Sequence, residues 1–483
     1  MTTLEQALCR WLDGGVSPYH TVAMAAEELQ KAGFTGLALG GDFPVKKGGR
    51  YFVENGTNLV AFTVGESASA FRIAAAHTDW PCLRIKPEPE IVSGGCCKLN
   101  VEPYGGAIYN TWLDRPLSLA GVVLVRTADP MRPERRLVAW DRPLLTIPNV
   151  AIHMNREVNK GVPTKANVDL FPLCATAAKE FEKNGWLTGK LAEKLNVPAQ
   201  DILSFELCAY CNEKAQAVGF EEDFLSSPRL DNLTSVHACL HGLLEAQGSE
   251  INVAVLYDNE EIGSNTRRGA DSSTLTVILE KIALALGMDR AAFLNACVHG
   301  MLLSCDAAHA LHPNHPEYAD SLCAPVLNGG VALKRSPRYS SDAETCAVVR
   351  GLCEAHGIPL QTYMNRADLP GGSTVGSMAS SLLALLIWTI DVKGYRRWSR
   401  FFESFGINPL FLYVSAAVLS ILLNNIRLPH GNGLLSLHGF AYSLCLKPAL
   451  GDYFGSLVYA LLFVALNWGI GYTLYKRKIY IKI

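Results

Sequence analysis

A chain of 483 residues is too long for one compact domain and predicts two or three. Its formal net charge of -2 offers no general attraction to nucleic acid or to an anionic surface, which argues against a polyanion-binding role driven by charge. Fourteen cysteines run from Cys9 to Cys445 without a repeating framework, and MTTLEQALCRWLDGG lacks the basic and apolar regions of a signal peptide, so a reducing compartment with mostly free thiols is expected.

In chain order, His20 in SPYHTV reads as a structural residue near a helix start. FRIAAAH, residues 71 to 77, is a continuous apolar run of the kind that forms a strand buried on both faces, and His77 and Asp79 follow it. Residues 86 to 215 are a series of short runs punctuated by Gly, Pro and Asn, such as YGGAIYNTWLDRPLSLAGVVLV. They predict a smaller β-rich domain inserted into an α/β core, so that the core is discontinuous, 1–85 and 216–380. Cys208 and Cys211 form a CxxC with no second pair at zinc-ribbon spacing and read as buried thiols. SPRLDNLTSVHACLHGLLEA predicts a helix opened by Asp231. His237 and His241 lie four apart on it, but HACLH lacks the Glu of HExxH, and packing is the expectation.

VAVLYDNEEIGS, residues 253 to 264, ends a second buried strand in Asp258, Asn259, Glu260 and Glu261. Adjacent side chains on a strand point to opposite faces, so Glu260 and Glu261 can serve one site only where the chain leaves the strand, an exit for which Gly263 supplies the backbone freedom. Asp306 follows another apolar run, in HGMLLSCDAAHALHP, with His309 and His312 just beyond it. One imidazole and several carboxylates at strand ends suit a pair of zinc ions, one carboxylate bridging them and another free to take a proton from the attacking water.

Composition changes near residue 380. Residues 405 to 423 and 454 to 475 are uncharged apolar stretches about as long as a bilayer crossing requires. Lys393, Arg396, Arg397 and Arg400 precede the first, and Lys476, Arg477, Lys478 and Lys482 follow the second, which predicts a membrane-helix hairpin within a tail at 381–483, both basic flanks cytoplasmic. SLLALLIWTI, 381 to 390, is too short to cross and is expected at the interface or on protein, leaving the preceding part cytoplasmic.

The segments AAHTDWPCLRIKP, YNTWLDRPLSLAG, IPNVAIHMNREVN, FLSSPRLDNL, LYDNEEIGS, CDAAHALHPNHPE, LKRSPRYSSDA and RADLPGGSTVGS, in this order, closely resemble the aspartyl aminopeptidase family of dinuclear zinc exopeptidases, from about residue 17 to Gly376. The resemblance implies a zinc-peptidase core with an inserted β-rich dimerisation domain, acting on peptides with acidic N-terminal residues. It implies that His77 and Asp306 bind one zinc, that Asp231 bridges two, that Glu261 binds the second, that Glu260 is the general base and that Asp79 orients His77. His153 would reach a neighbouring subunit's active site, which implies a dimer or larger assembly, and Lys334 would lie in the substrate region, where His309 and His312 could also contact substrate.

DVKGYRRWSRFFESFGINPLFLYV and LVYALLFVALNWGIGYTLYKRKIYIKI resemble the C-terminal end of membrane proteins related to heparan-alpha-glucosaminide N-acetyltransferase, without the upstream segments that carry acetyl transfer. The peptidase family continues past GSTVG to a further metal-binding histidine that has no counterpart here; His430 and His438 lie between the predicted spans. A catalytically impaired, membrane-tethered remnant or a chimeric product is therefore the alternative to an active aminopeptidase.

Overall fold

The computed structural model describes residues 2–176, 185–336, 339–368, 409–430 and 433–477. The chain divides into two compact units, Met1–Ser377 and Met378–Ile483. The predicted join near residue 380 and the segment 381–390 lie outside the described residues.

The first unit opens with helices α1 (Thr3–Gly14) and α2 (Pro18–Lys31). Thr2 and Glu5 form a reciprocal capping box at α1, and Ser17 caps α2 ahead of a proline whose fixed φ suits the first helical turn. Strands β1 (Thr35–Leu37), β2 (Arg50–Asn55), β3 (Asn58–Val64) and β4 (Phe71–His77) follow. The chain then leaves this sheet to build another from β5 (Cys82–Ser93), β6 (Cys96–Tyr104), β7 (Leu117–Val125), β8 (Glu134–Ala139), β9 (Leu173–Thr176) and β10 (Ile202–Cys211). Short helix α3 (Ala166–Asp169) and helix α4 (Trp186–Leu195) lie within that excursion, and the hairpin β11 (Gln216–Val218) and β12 (Phe224–Ser226) ends it.

Helix α5 (Leu230–Glu245) leads back to β13 (Ile251–Tyr257), helices α6 (Thr274–Ala285) and α7 (Arg290–Val298), and β14 (Met301–Ser304). A parallel pair, β15 (Val331–Lys334) and β16 (Leu360–Tyr363), flanks helix α8 (Ala343–Ala355).

The first sheet has the order β1-β2-β3-β13-β4-β14. Alternation along β13 divides the core. Val253, Val255 and Tyr257 face the cluster that α6 and α7 close with Ile278, Ile282 and Phe293, while Ala254 and Leu256 face the cluster that α1, α2 and α5 close with Leu12, Val22, Leu29 and Leu240. A sheet covered by helices on both faces is an α/β layer architecture.

Register places the chemistry. Strands β13 and β14 both run parallel to β4, with Tyr257 opposite His77 and Ser304 opposite Ala75. Asp306, two residues past Ser304, therefore comes level with His77, and Asp258 to Glu261 leave the sheet at the same edge.

The second sheet, β8-β7-β10-β5-β6-β9, is antiparallel throughout, and its core of Leu83, Leu99, Leu119, Val123 and Leu207 is covered by Leu187 and Leu191 of α4. Gly121 lets β7 approach β10, since a Cβ there would stand 2.0 Å from the Glu206 carbonyl oxygen. Cys208 and Cys211 are buried in β10 as free thiols.

The second unit contains helix α9 (Pro409–Asn425), the hairpin β17 (Arg427–His430) and β18 (Gly433–Ser436), a π-helical turn at Phe440–Leu446 and the long helix α10 (Lys447–Lys476). Among the described residues one stretch, Phe454–Lys476, is long and apolar enough to cross a bilayer, with a mean hydropathy of 1.7. The first arm of the predicted hairpin corresponds to α9, whose 17 residues start at Pro409, while 405–408 lie outside the described residues.

Candidate metal centre

At the edge where β4, β13 and β14 end, His77 is buried to 2% exposure, with its Nε2 3.5 Å from Asp231 Oδ1 and 3.5 Å from Asp306 Oδ1. Glu260 Oε2 stands 3.9 Å from the same nitrogen. Two ligands of an ion held at about 2.0–2.1 Å in a tetrahedral shell stand about 3.4 Å apart, so the first two separations match a shared zinc. His77, Asp231 and Asp306 offer ligand atoms within 4.8 Å of one another, the one such group of three or more among the described residues.

Each ligand is set by a different element. His77 is the last residue of β4, and Asp306 follows β14. Asp231 lies in the first turn of α5, where Asp231 and Asn232 depart from helical φ/ψ and are joined by a cis peptide bond. Asn232 Nδ2 donates to the Cys305 carbonyl at 2.9 Å, tying the segment that carries Asp231 to the one that carries Asp306. Asn259 and Gly263, with φ of 64° and 92°, flank the single helical turn Glu260–Ile262, which is how the chain leaves the strand and turns both glutamates toward one site.

Asp79, buried to 1% exposure, joins these parts. Its Oδ1 lies 3.3 Å from His77 Nδ1, its Oδ1 accepts the Glu260 N–H at 3.2 Å, and its Oδ2 accepts the Glu261 N–H at 3.1 Å and the Tyr104 hydroxyl at 2.5 Å.

The electrostatics are those of crowded acids. Burial first, then Asp306 and Asp79, raise the Glu260 carboxyl to about 7. Burial and Asp231 raise Glu261 to about 8, and burial with Asp79 raises Asp258 to about 6. Burial opposes charging of His77, yet the carboxylates of Asp231, Asp306 and Asp79 outweigh it and hold the imidazole well above its ordinary range. A bound cation replaces proton uptake as the relief of that repulsion, so donor chemistry and spacing both fit zinc.

Lys334 and His309 meet at another point: the Lys334 ammonium lies 5.6 Å from the Tyr363 ring and the His309 ring 6.5 Å from it. His312 packs against His315 at 5.1 Å. His153 is exposed in the turn after Ala151 and is not among the residues gathered around His77. His20 hydrogen-bonds Ser17 at the α2 cap, a structural place near a helix start, while His237 and His241 pack ring against ring at 4.1 Å, tilted by 37°, with His241 Nε2 3.1 Å from Glu28. Tyr104, Asn232 and Asn259 had no visible signal: each acts through a hydrogen bond whose partner is distant in sequence. A cleft of about 330 Å³ opens beside Asp231, lined by Trp80, Ile108, Trp112, Arg115 and Arg229 among others.

Comparison with known proteins agrees with this geometry. The family model described as Aminopeptidase I zinc metalloprotease (M18) matches residues 11–399. A protein of Clostridium novyi named "Probable M18 family aminopeptidase 2" is 42% identical over 373 residues, 76% of this chain and 86% of the relative. A protein of the same name from Pseudomonas aeruginosa is 37% identical, covering 80% of this chain and 91% of its own length. Among solved structures, that of the Ape4 and Nbr1 complex is similar at a TM-score of 0.74 and 31% identity over 79% of this chain and 78% of that one. The M18 aminopeptidase of Thermotoga maritima shares the fold at a TM-score of 0.68 and 22% identity, over 78% of this chain and 87% of that one. A zinc-compatible cluster at the ends of parallel strands is thus found in a chain that belongs to the M18 family of zinc aminopeptidases.

Proposed function

We propose that the chain releases N-terminal amino acids from peptides at the cluster around His77, with Glu260 as the general base. The observation that carries this is the position of His77 Nε2, 3.5 Å from both Asp231 and Asp306 and 3.9 Å from Glu260. His77, Asp231 and Asp306 would hold one zinc; Asp231 with Glu261 would hold a second. Zinc, when bound, supplies Lewis acidity toward the scissile carbonyl. Glu260 accepts a proton from the attacking water and returns it to the departing amine as the peptide C–N bond breaks. The Asp79 main-chain carbonyl, 3.0 Å from His77 Nδ1, favours the tautomer that presents Nε2, and the Asp79 carboxylate at 3.3 Å adds its charge.

The ammonium of Lys334, which like the His309 ring lies near Tyr363, favours acidic side chains in the substrate. His153 lies on an exposed surface from which it can reach a second copy; the structurally similar mature Ape1 of S. cerevisiae is a dodecamer, which supports a homo-oligomer. The tail at 381–483 attaches the chain to a membrane, supported by the apolar stretch Phe454–Lys476, and the basic residues at 393–400 and 476–482 favour the cytoplasmic side for the peptidase part.

A second reading, of a membrane-tethered chain impaired at its second ion, is favoured by the single ligand group found among the described residues. Bound zinc and turnover of aminoacyl substrates by the intact chain in detergent separate the two. One tight and one weak zinc per chain with low turnover supports impairment. Two tight ions with full turnover refutes it, and hydrolysis that is insensitive to chelator refutes the metal-dependent reading itself.

A further inference from the structure

We infer that Tyr104 is a positioning residue for the metal centre, acting through Asp79. This rests on the functional reading above and assigns a role to a residue on the second sheet, at the end of β6, whereas His77 ends a strand of the first.

The Tyr104 hydroxyl donates to Asp79 Oδ2 at 2.5 Å and accepts from Asn259 Nδ2 at 2.9 Å. Both of its strong bonds are therefore committed. Asn259 Oδ1 in turn accepts the Thr266 hydroxyl at 2.7 Å, which anchors the loop carrying Glu260 and Glu261. Asp79 is the node. Its carboxylate accepts the backbone N–H groups of Glu260 and Glu261 and lies 3.3 Å from His77 Nδ1, whose hydrogen bond at 3.0 Å goes to the Asp79 main-chain carbonyl, so one residue ties the imidazole to the turn that carries both glutamates. The phenol donor adds the shortest of the contacts to this carboxylate and strengthens its hold on the orientation that the two backbone N–H groups require.

The other side of Tyr104 is fixed as well. The Arg84 guanidinium lies over its ring at 3.8 Å from the centroid, at the wall of a cavity of about 210 Å³ that also includes Asp79, Glu206, Asp258 and Arg268. Replacing Tyr104 by Phe keeps the ring and that stacking and deletes only the hydroxyl. Asp79 Oδ2 is then left with the Glu261 N–H, and Asn259 Nδ2 loses its acceptor.

The test is a double-mutant cycle on the full 483-residue chain in detergent, reading the zinc dissociation constant by competition with a chromogenic chelator, together with kcat and KM. Tyr104→Phe, Asp79→Asn and the double variant are compared with wild type. Tyr19→Phe is the control, because it deletes another buried phenol on the same cavity, one bonded to a carboxylate other than Asp79, Glu206 at 2.6 Å. The expected result is about 10- to 100-fold weaker zinc binding in Tyr104→Phe, the range for losing an outer-shell partner, with kcat lowered and KM within about twofold. The loss should vanish in the Asp79→Asn background, and Tyr19→Phe should match wild type. Zinc binding and kcat within about twofold of wild type in Tyr104→Phe, or losses of equal size in both backgrounds, would overturn the inference. A wild-type chain that binds no zinc would overturn the functional reading and this inference together.

Discussion

Glu260 and Glu261 are adjacent in sequence, and the proposed function gives them different work. Glu260, nearest to His77 Nε2 after the two aspartates, is the proton carrier in the proposed function, and Glu260→Gln keeps its shape while removing its basicity. That substitution should lower kcat by about 10²- to 10⁴-fold with zinc content unchanged, measured on metal-loaded protein. Two other residues bear on stability. His20 and His237 are each lowered from 6.5 to about 4 by burial, His237 further by His241. Between these values the unfolded chain takes up protons that the folded chain refuses, so their contribution is intact above pH 6.5 and is lost as pH falls toward 4. Melting temperatures between pH 7 and 4.5 should fall less steeply for His237→Phe than for wild type. His77, Glu260, Glu261 and Asp306 stand out in the sequence because each comes at or just past the end of an apolar run, and Asp231 because it opens a helical pattern. Tyr104 was not, since a tyrosine between proline and glycine in VEPYGG carries no mark of the carboxylate it will meet.

Strands β4 and β13 fall on the two apolar runs read from the sequence, 71 to 77 and 251 to 257, and Asp231 does open α5. Strand order was not legible. Nothing in the composition of β13 announces that it pairs antiparallel with β3 on one side and parallel with β4 on the other, because an apolar run buried on both faces states its burial and leaves its neighbours open. The layer depends on the residues beneath those pairings. Phe62 of β3 is fully buried and packs on Tyr51 with ring centroids 5.4 Å apart. Phe62→Ala should cost about 3–5 kcal/mol, read by denaturant unfolding of the first unit's transition.

Over the whole chain, the family match reaches residue 399, past Gly376 where the ordered motifs end, and the second unit begins at Met378. Helix α10 presents Leu457, Leu461, Leu462 and Leu466 largely exposed, a surface that lipid would cover. The chain should therefore sediment with membranes, resist extraction by high salt and be released by detergent; release by salt alone would refute the attachment.

The long excursion between β4 and β13 has a consequence for synthesis. Strands β3 and β4 are successive in sequence, yet in the finished sheet they are kept apart by β13, which is translated much later. From the time Phe71–His77 clears the ribosome until Ile251–Tyr257 does so, the nascent sheet has an empty slot bounded by two apolar edges. At about 5–20 residues per second that interval is roughly ten to forty seconds, long compared with the time in which exposed strands find wrong partners. Ribosome-bound chains stalled before Ile251 should bind chaperones that recognise apolar segments and lose them once β13 has emerged.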